Sequence, residues 1–510
     1  MSTGAALLEA FDESNPLLEG LTGRRTPDPC SIVIFGASGD LSHRKLLPGL
    51  YALAFNGLLP ESLAVLGVGR RELADDSFRA QMRAAVQEHG RLEFDEDVWR
   101  DLAQGMRYVA AKQTDEPSGG PITDALRELE EERGTLGNRV FYLAVPPAAM
   151  SEVVSGIATW PAAGGWRRLI VEKPFGNNLE SARKLNKHIL ERFPEREVFR
   201  IDHYLGKETV QNLAVLRFAN GIFEPVWNRQ FIDHVQITAA ESIGIGSRAA
   251  FYEETGATRD IFQNHLLQLL TLTAMEPSAD FAADAVRNEK VKVLKSLAPL
   301  EAANVVRGQY AEGFAEGAEV LGYRAEEGVA ANSATETYFA ARLQVDNWRW
   351  AGTPFYLRCG KRLARRETAI AIQFKRAPHL PYELDAEDDV QPNVLLIHIQ
   401  PDEGVSMTLN AKVPGYGVTI RAVNMDFAYG GSFRTGLPEA YERLILDCML
   451  GDAVLFTRAD EVEEQWALVD AVRERWEGEQ PDFPNYAAGS WGPVAADELV
   501  QADGRSWRRH

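Results

Sequence analysis

The run Ser31-Ile32-Val33-Ile34-Phe35 passes directly into Gly36-Ala37-Ser38-Gly39-Asp40-Leu41, and no other stretch narrows the choice of fold so sharply. A segment apolar at every position has no solvent face, so it suits a parallel strand covered on both sides. A helical pattern follows, with Leu46, Leu47, Leu50, Leu53 and Ala54 spaced for one face. Leu63-Ala64-Val65-Leu66 then reads as a second strand, ending at Gly67-Val68-Gly69. Further strands are predicted at 140–145, 169–171 and 198–201, with helical stretches between several of them. Strand alternating with helix implies βαβ units around a parallel sheet.

The texture changes after residue 203. Long helical patterns cover 208–218 and 259–275, and strand patterns then dominate at 235–238, 336–345, 354–358, 369–374, 394–399 and 406–409. Strand after strand without an intervening helix implies a large, mainly antiparallel sheet. Helical patterns return at 439–449 and 462–476. The expected architecture is α/β plus α+β. A Rossmann-like dinucleotide-binding domain over 29–202 precedes a larger domain over 203–510, and 1–28, rich in Pro, Gly and Thr, reads as a flexible extension. A length of 510 residues agrees with more than one domain.

Composition removes several function classes. The 54 basic against 74 acidic residues leave a formal charge of −20, which disfavours a sequence-independent nucleic-acid binder. The three cysteines, Cys30, Cys359 and Cys448, have no metal-ligand spacing and suggest a reducing compartment. The start carries Glu9, Asp12 and Glu13 and lacks the pattern of a secretory signal. The most apolar segment, 266–275, is too short to cross a bilayer, so a cytoplasmic protein without membrane contact is expected.

The glycine turn after the first strand lets backbone approach a pyrophosphate at a helix N-terminus. Its spacing differs from the usual G-x-G-x-x-G, and taken alone it fits a plain tight turn equally well. At the end of the second strand, where an NAD enzyme usually carries a carboxylate, stand Arg70 and Arg71. Guanidinium groups there suit a 2′-phosphate and favour NADP; a solvated basic corner is the alternative.

Three later segments concentrate titratable groups. Glu172-Lys173-Pro174-Phe175-Gly176 follows a buried strand, where Pro174 invites a cis bond or sharp turn that would fix Lys173 at the strand's C-terminal edge. Arg200-Ile201-Asp202-His203-Tyr204-Leu205-Gly206-Lys207-Glu208 gathers a carboxylate, an imidazole, a phenol and an ammonium at the domain junction. Lys207, His203 and Tyr204 could meet a phosphate, while Asp202 could orient another imidazole or simply cap a helix. Arg259 to Gln268 is amphipathic, with Phe262, Leu266 and Leu269 in a stripe that His265 flanks. Such a histidine either packs or faces a cleft. A basic cluster, Arg358, Lys361, Arg362, Arg365 and Arg366, is either a positive pocket wall or a solvated loop.

Together these segments resemble glucose-6-phosphate dehydrogenase, with Cys359-Gly360-Lys361-Arg362-Leu363, Pro438 to Arg443 and Gly489 to Pro493 adding to the likeness. The resemblance runs from about residue 30 to the end, and its most specific part is the stretch from Arg200 to Glu208. It implies oxidation of glucose 6-phosphate at C1 to the 1,5-lactone with hydride transfer to NADP. It further implies His265 as general base with Asp202 as its partner, and His203, Tyr204 and Lys207 on the sugar phosphate. Glu241 and Asp260 would bind sugar hydroxyls, joined by Lys361 and Arg366, and Lys173 would touch both substrate and cofactor. Gly36, Ser38, Gly39, Asp40, Leu41 and Arg70 would hold NADP. A homodimer or homotetramer associating through the large sheet is expected, and no metal is required. Vertebrate relatives hold a second NADP partly through two basic residues beyond the substrate lysine. Those places are Glu367 and Ala371 here, which speaks against a second nucleotide site. A glucose-fructose oxidoreductase-type enzyme would share the nucleotide fold and the Glu-Lys-Pro segment, but not the 202–207 set or Gln263-Asn264-His265.

Overall fold

A computed structural model describes residues 26–111, 120–381, 390–416, 418–429, 437–476 and 478–509. The expected flexible extension, 1–28, lies outside the described residues apart from its last few.

The first sheet is built from β1 (Cys30–Phe35), β2 (Leu63–Gly69), β3 (Met106–Ala110), β4 (Arg139–Leu143), β5 (Arg167–Val171) and β6 (Val198–Arg200). All neighbours are parallel, in the order β3-β2-β1-β4-β5-β6. The connecting helices are α1 (Leu47–Phe55), α2 (Asp75–His89), α3 (Glu96–Gln104), α4 (Pro121–Arg133), α5 (Pro147–Ala158) and α6 (Leu179–Leu190). Every residue of β1 is buried, because alternate side chains enter two cores. Val33 and Phe35 pack with Leu126, Leu129 and Val153, whereas Ile32 and Ile34 pack with Leu47, Leu50 and Phe78. Each such side chain contributes about 1.5–3 kcal/mol on burial, so a one-residue register slip would exchange both cores at once.

The sequence pattern missed β3. Its five residues, Met-Arg-Tyr-Val-Ala, bury only Met106 and Tyr108, and it lies at the sheet edge where half-polar strands are stable.

Beyond α7 (Glu208–Phe218) the chain forms an eight-stranded sheet from β7 (Ile232–Ala240), β8 (Val305–Gly308), β9 (Tyr338–Gln344), β10 (Pro354–Gly360), β11 (Glu367–Phe374), β12 (Val394–Gln400), β13 (Gly404–Lys412) and β14 (Ile420–Ala428). Its order is β14-β13-β12-β11-β7-β10-β9-β8. Every pair is antiparallel except β7 with β10, which run parallel with Ala240 opposite Gly360. The outermost strand, β14, was also not anticipated. Its apolar residues Val423, Met425 and Phe427 alternate as in a strand, but they are exposed in the single chain.

One face of this sheet carries a π-helix over Thr258–Leu266 and α9 (Leu267–Ala274), packed in the same core as β7, β9 and β10, whereas the preceding α8 (Ala249–Ala257) puts Ala249 and Tyr252 into a separate core with Tyr338 and Tyr356. The single helix expected over 259–275 is therefore π-helical in its first half. After α10 (Ala283–Lys295) and the strands come α11 (Ala440–Leu450), α12 (Ala459–Trp476) and α13 (Val494–Gln501). Helix α11 returns to pack on α1, and α12 packs on α6 and on the π-helix, so the late chain joins both sheets. No described helix is long and apolar enough to cross a membrane.

Candidate active site

The C-terminal ends of β5 and β6, the π-helix, and the ends of β7 and β10 converge on one cluster. Lys173 leaves β5 through a cis Lys173–Pro174 bond. Asp202, His203 and Tyr204 follow β6, and Lys207 stands at the N-cap of α7 without a side-chain capping bond. Asp260 and His265 both come from the π-helix, whose i→i+5 hydrogen bonding brings residues five apart toward one face. The two side chains meet on a single ammonium: Lys173 Nζ lies 3.0 Å from Asp260 Oδ1 and 3.0 Å from His265 Nε2.

The ring of His265 is fully buried, and its Nδ1 lies 2.5 Å from Asp202 Oδ1. An ammonium only donates, so the contact with Lys173 makes Nε2 an acceptor and places the ring proton on Nδ1, facing Asp202. The tautomer is thereby set from both sides. Tyr204 stacks on the imidazole with centroids 4.1 Å apart, and His203 meets it edge-on at 4.5 Å. Burial drives the His265 pKa below its ordinary value, opposed by Asp202 and reinforced by Lys173. For Asp202, burial acts to raise the pKa, but His265, His203 and Lys173 outweigh it and hold the carboxyl at about 2. Burial, reinforced by the neighbouring His265 ring and the Lys173 ammonium, pushes His203 well below the usual imidazole range. A neutral imidazole on an ionised carboxylate results.

Asp202, His203 and His265 bring ligand-type atoms within 4.8 Å of one another. Nδ1 of His265 is engaged by Asp202, and the Lys173 ammonium faces Nε2.

A second group lies beside the first. Lys207 Nζ donates to Gln400 Oε1 at 3.0 Å, and the exposed Arg366 approaches the same oxygen at 3.4 Å. Gln400 Nε2 donates to Thr368 Oγ1 at 2.9 Å and to Tyr204 Oη at 3.3 Å. Burial lowers the Lys207 pKa, opposed by Glu403. The arrangement offers two cations, a phenol and an amide to one anion. Lys361 and Glu241, delivered by the parallel strands β10 and β7, pair at 2.7 Å.

The expected basic cluster divides. Lys361 and Arg366 join the site, but Arg358 is buried against Trp491 and Trp507 and donates to Thr238 and to the Arg508 carbonyl. Arg365 pairs with Glu367 at 3.4 Å, and Arg362 faces Glu326. No continuous positive wall results from these five residues.

The glycine turn lies at the C-terminal edge of β1. Gly36 has φ +87°, and a Cβ there would lie 2.1 Å from the Ala144 carbonyl oxygen, so only glycine fits. Helix begins at Asp40 and Leu41, leaving first-turn N–H groups without intrahelical acceptors beside Ser38 and Gly39. Arg71 Nη2 donates to the Ser38 carbonyl at 3.0 Å, while Arg70 is exposed with no side-chain partner among the described residues. Such a backbone cradle can hold the pyrophosphate of a dinucleotide.

Sequence reasoning missed Gln400 and Glu172. Gln400 ends a strand in ordinary sequence and gives no local signal. Glu172 was read only as part of a segment, yet it is buried, accepts from Tyr142 Oη at 2.5 Å and also bonds Tyr441. Burial raises its pKa against the opposing effects of Tyr142, Lys173 and Tyr441.

Comparison with known proteins gives a consistent result. The model of the glucose-6-phosphate dehydrogenase NAD binding domain matches residues 33–212, and that of the C-terminal domain matches 214–508. The chain is 48% identical over 505 residues to glucose-6-phosphate 1-dehydrogenase 2 of Mycobacterium bovis, covering 97% of this chain and 98% of the relative. It is 47% identical over 503 residues to glucose-6-phosphate 1-dehydrogenase of Chlamydia pneumoniae, covering 96% and 98%. A solved glucose-6-phosphate dehydrogenase in complex with its substrate glucose-6-phosphate aligns with a TM-score of 0.87 at 33% identity, over 96% of this chain and 100% of that one.

Proposed function

The chain belongs to the glucose-6-phosphate dehydrogenase family, and from that premise we propose that it uses NADP and that His265 is the general base. The reaction is oxidation of glucose 6-phosphate at C1 to the 1,5-lactone, with hydride passing to a nicotinamide nucleotide. The observation that carries the residue assignment is His265 held between Asp202 and Lys173, 2.5 Å from one and 3.0 Å from the other.

Departure of hydride leaves positive character on C1, which loss of the hydroxyl proton relieves as the lactone carbonyl forms. Nε2 of His265 takes that proton, the C1 hydroxyl entering where the Lys173 ammonium now stands. Asp202 keeps the accepting nitrogen unprotonated at the outset and stabilises the imidazolium afterward. Lys173, Asp260, Glu241 and Lys361 form a ring of donors and acceptors for the sugar hydroxyls. Lys207, with His203, Tyr204 and Arg366, binds the phosphate, and the bridging position of Gln400 assigns it to the same group. Phosphate contacts supply binding energy remote from C1, which favours the phosphorylated sugar over glucose.

Gly36, Ser38, Gly39, Asp40 and Leu41 hold the pyrophosphate, and Arg70 takes the 2′-phosphate that distinguishes NADP from NAD. The division at residue 202 gives a nucleotide domain over 29–202 and a substrate and assembly domain over 203–510. Assembly as a homodimer or homotetramer is supported by the apolar outer strand β14, with Val423, Met425 and Phe427 exposed in one chain. The acidic charge of −20 is in keeping with a cytoplasmic enzyme that engages no nucleic acid and no membrane. The deciding assay follows absorbance at the reduced-nicotinamide band, comparing glucose 6-phosphate with glucose and NADP with NAD. Equal rates with both sugars would overturn the phosphate site, and a preference for NAD would overturn the Arg70 assignment.

A further inference from the structure

Behind Asp202, on the side away from His265, a small cavity lies between the ends of β5 and β6, the π-helix and the start of α12. Its ≈ 30 Å³ is enough for one or two waters. Asp202, Arg200, Gln268 and Gln465 all line it, and all four are buried. Each of these lining residues carries a buried polar atom without a hydrogen-bond partner: Asp202 Oδ2, Arg200 Nε and Nη2, Gln268 Oε1 and Gln465 Nε2. Acceptors and donors are mixed, which is the complement of water and of neither a cation nor an anion. Leaving such atoms unpaired in a protein interior is costly, and folded proteins rarely tolerate several together.

Asp202, Arg200 and Gln268 have other polar atoms committed elsewhere. Asp202 Oδ1 takes the His265 ring at 2.5 Å and the Tyr204 amide at 3.0 Å. Arg200 Nη1 donates to Glu195 at 2.7 Å. Gln268 Nε2 approaches Glu461, itself paired at 2.7 Å with the buried Lys290. The chamber thus joins the carboxylate of the reacting pair to a buried polar layer contributed by α9, α10 and α12.

We propose that Arg200, Gln268 and Gln465 form a water-holding chamber behind Asp202 and act through it as positioning residues for the Asp202–His265 pair. Water held by their amide and guanidinium groups donates to Oδ2, fixing the carboxylate plane and sharing its charge. Without that donor Asp202 pulls harder on the Nδ1 proton, and His265 becomes more basic. The groups facing His265 are Asp202 and His203 after β6, Lys173 after β5, Asp260 on the π-helix, and Tyr204. Glu172 and Arg200 flank Asp202, and the Glu461–Lys290 pair lies beyond Gln268. An amide-to-thioether exchange alters none of these charges, so a displaced pH profile reports on the chamber.

The inference rests on His265 being the base, so its test has an arm independent of catalysis. A high-resolution crystal structure of the native enzyme should show water hydrogen-bonded to Asp202 Oδ2; a dry or water-free contact there overturns the proposal whatever the kinetics. Gln268→Met and Gln465→Met keep volume and remove the polar lining. They should move the acid limb of kcat/KM up by about half a pH unit or more, and lower kcat about 5- to 20-fold with KM within about twofold. Gln268→Asn, which keeps an amide and adds room, should restore most of both. Methionine variants with a lowered Tm but a native pH profile and kcat would reduce the chamber to a stability feature and overturn the positioning role. Should they fail to fold, the native crystal structure and Gln268→Asn decide the matter.

Discussion

Lys173 donates to the one imidazole nitrogen of His265 that Asp202 leaves free, at 3.0 Å. The contact engages the Nε2 lone pair and sets a positive charge against the ring, which opposes its protonation. Because Asp260 holds the same ammonium at 3.0 Å, segments distant in sequence agree on one position for the Nε2 nitrogen.

His265→Asn should lower kcat by at least about 10²-fold, since the proton acceptor is lost while the surrounding donors remain. KM for glucose 6-phosphate should change little. Steady-state kinetics decide this, and turnover near the native rate would remove His265 from the base role.

The acid limb of kcat/KM should lie below the ordinary imidazole value of 6.5, because burial, only partly offset by Asp202, makes the ring harder to protonate. Activity therefore persists as pH falls through 6.5 and declines only where His265 finally takes a proton. Asp202→Asn removes a charge that raises the His265 pKa. The limb should move to still lower pH while the plateau falls, and an upward displacement would contradict the assigned pairing.

Replacing Lys207 with alanine should raise KM for glucose 6-phosphate by about 10-fold or more, the loss of one charge-assisted phosphate contact. The rate with glucose should be nearly untouched. A variant whose ratio of glucose 6-phosphate to glucose activity matches the native enzyme would place the phosphate elsewhere.

Arg70→Ala should weaken NADP more than NAD, by about 10-fold in kcat/KM, because only NADP carries the 2′-phosphate. Equal losses with the two nucleotides would show that the guanidinium contributes general charge alone.

Lys290→Ala should destabilise the fold by about 3–5 kcal/mol, since Glu461 would remain buried without its cation. Denaturant titration at neutral pH measures the loss. A change within about 0.5 kcal/mol would mean that Gln268 and solvent compensate the carboxylate fully.

Much of this organisation was legible in the residues. The β1 run and its glycine turn forecast a strand buried on both faces, and the change of pattern after residue 203 forecast a second, larger sheet. Asp202 and His265 were legible as separate groups with an expected meeting, and their juxtaposition follows from β6 and the π-helix sharing one edge. What escaped notice had no periodic or compositional mark. β3 buries too few side chains to stand out, and β14 exposes its apolar residues in the single chain. Gln400 acquires its meaning only from contacts with Lys207, Tyr204 and Thr368, which come from distant segments. The division of the 358–366 cluster depends on strand alternation and on the tryptophans near the C-terminus, neither visible in a local charge count.

The one parallel pairing in the large sheet has a consequence for how such an enzyme can vary. Hairpin neighbours leave a sheet at opposite rims, but β7 and β10 exit at the same rim, so Glu241 and Lys361 emerge side by side with their spacing dictated by backbone ladder rather than by loop length. Turns at the opposite rim can then lengthen or shorten without disturbing that pair.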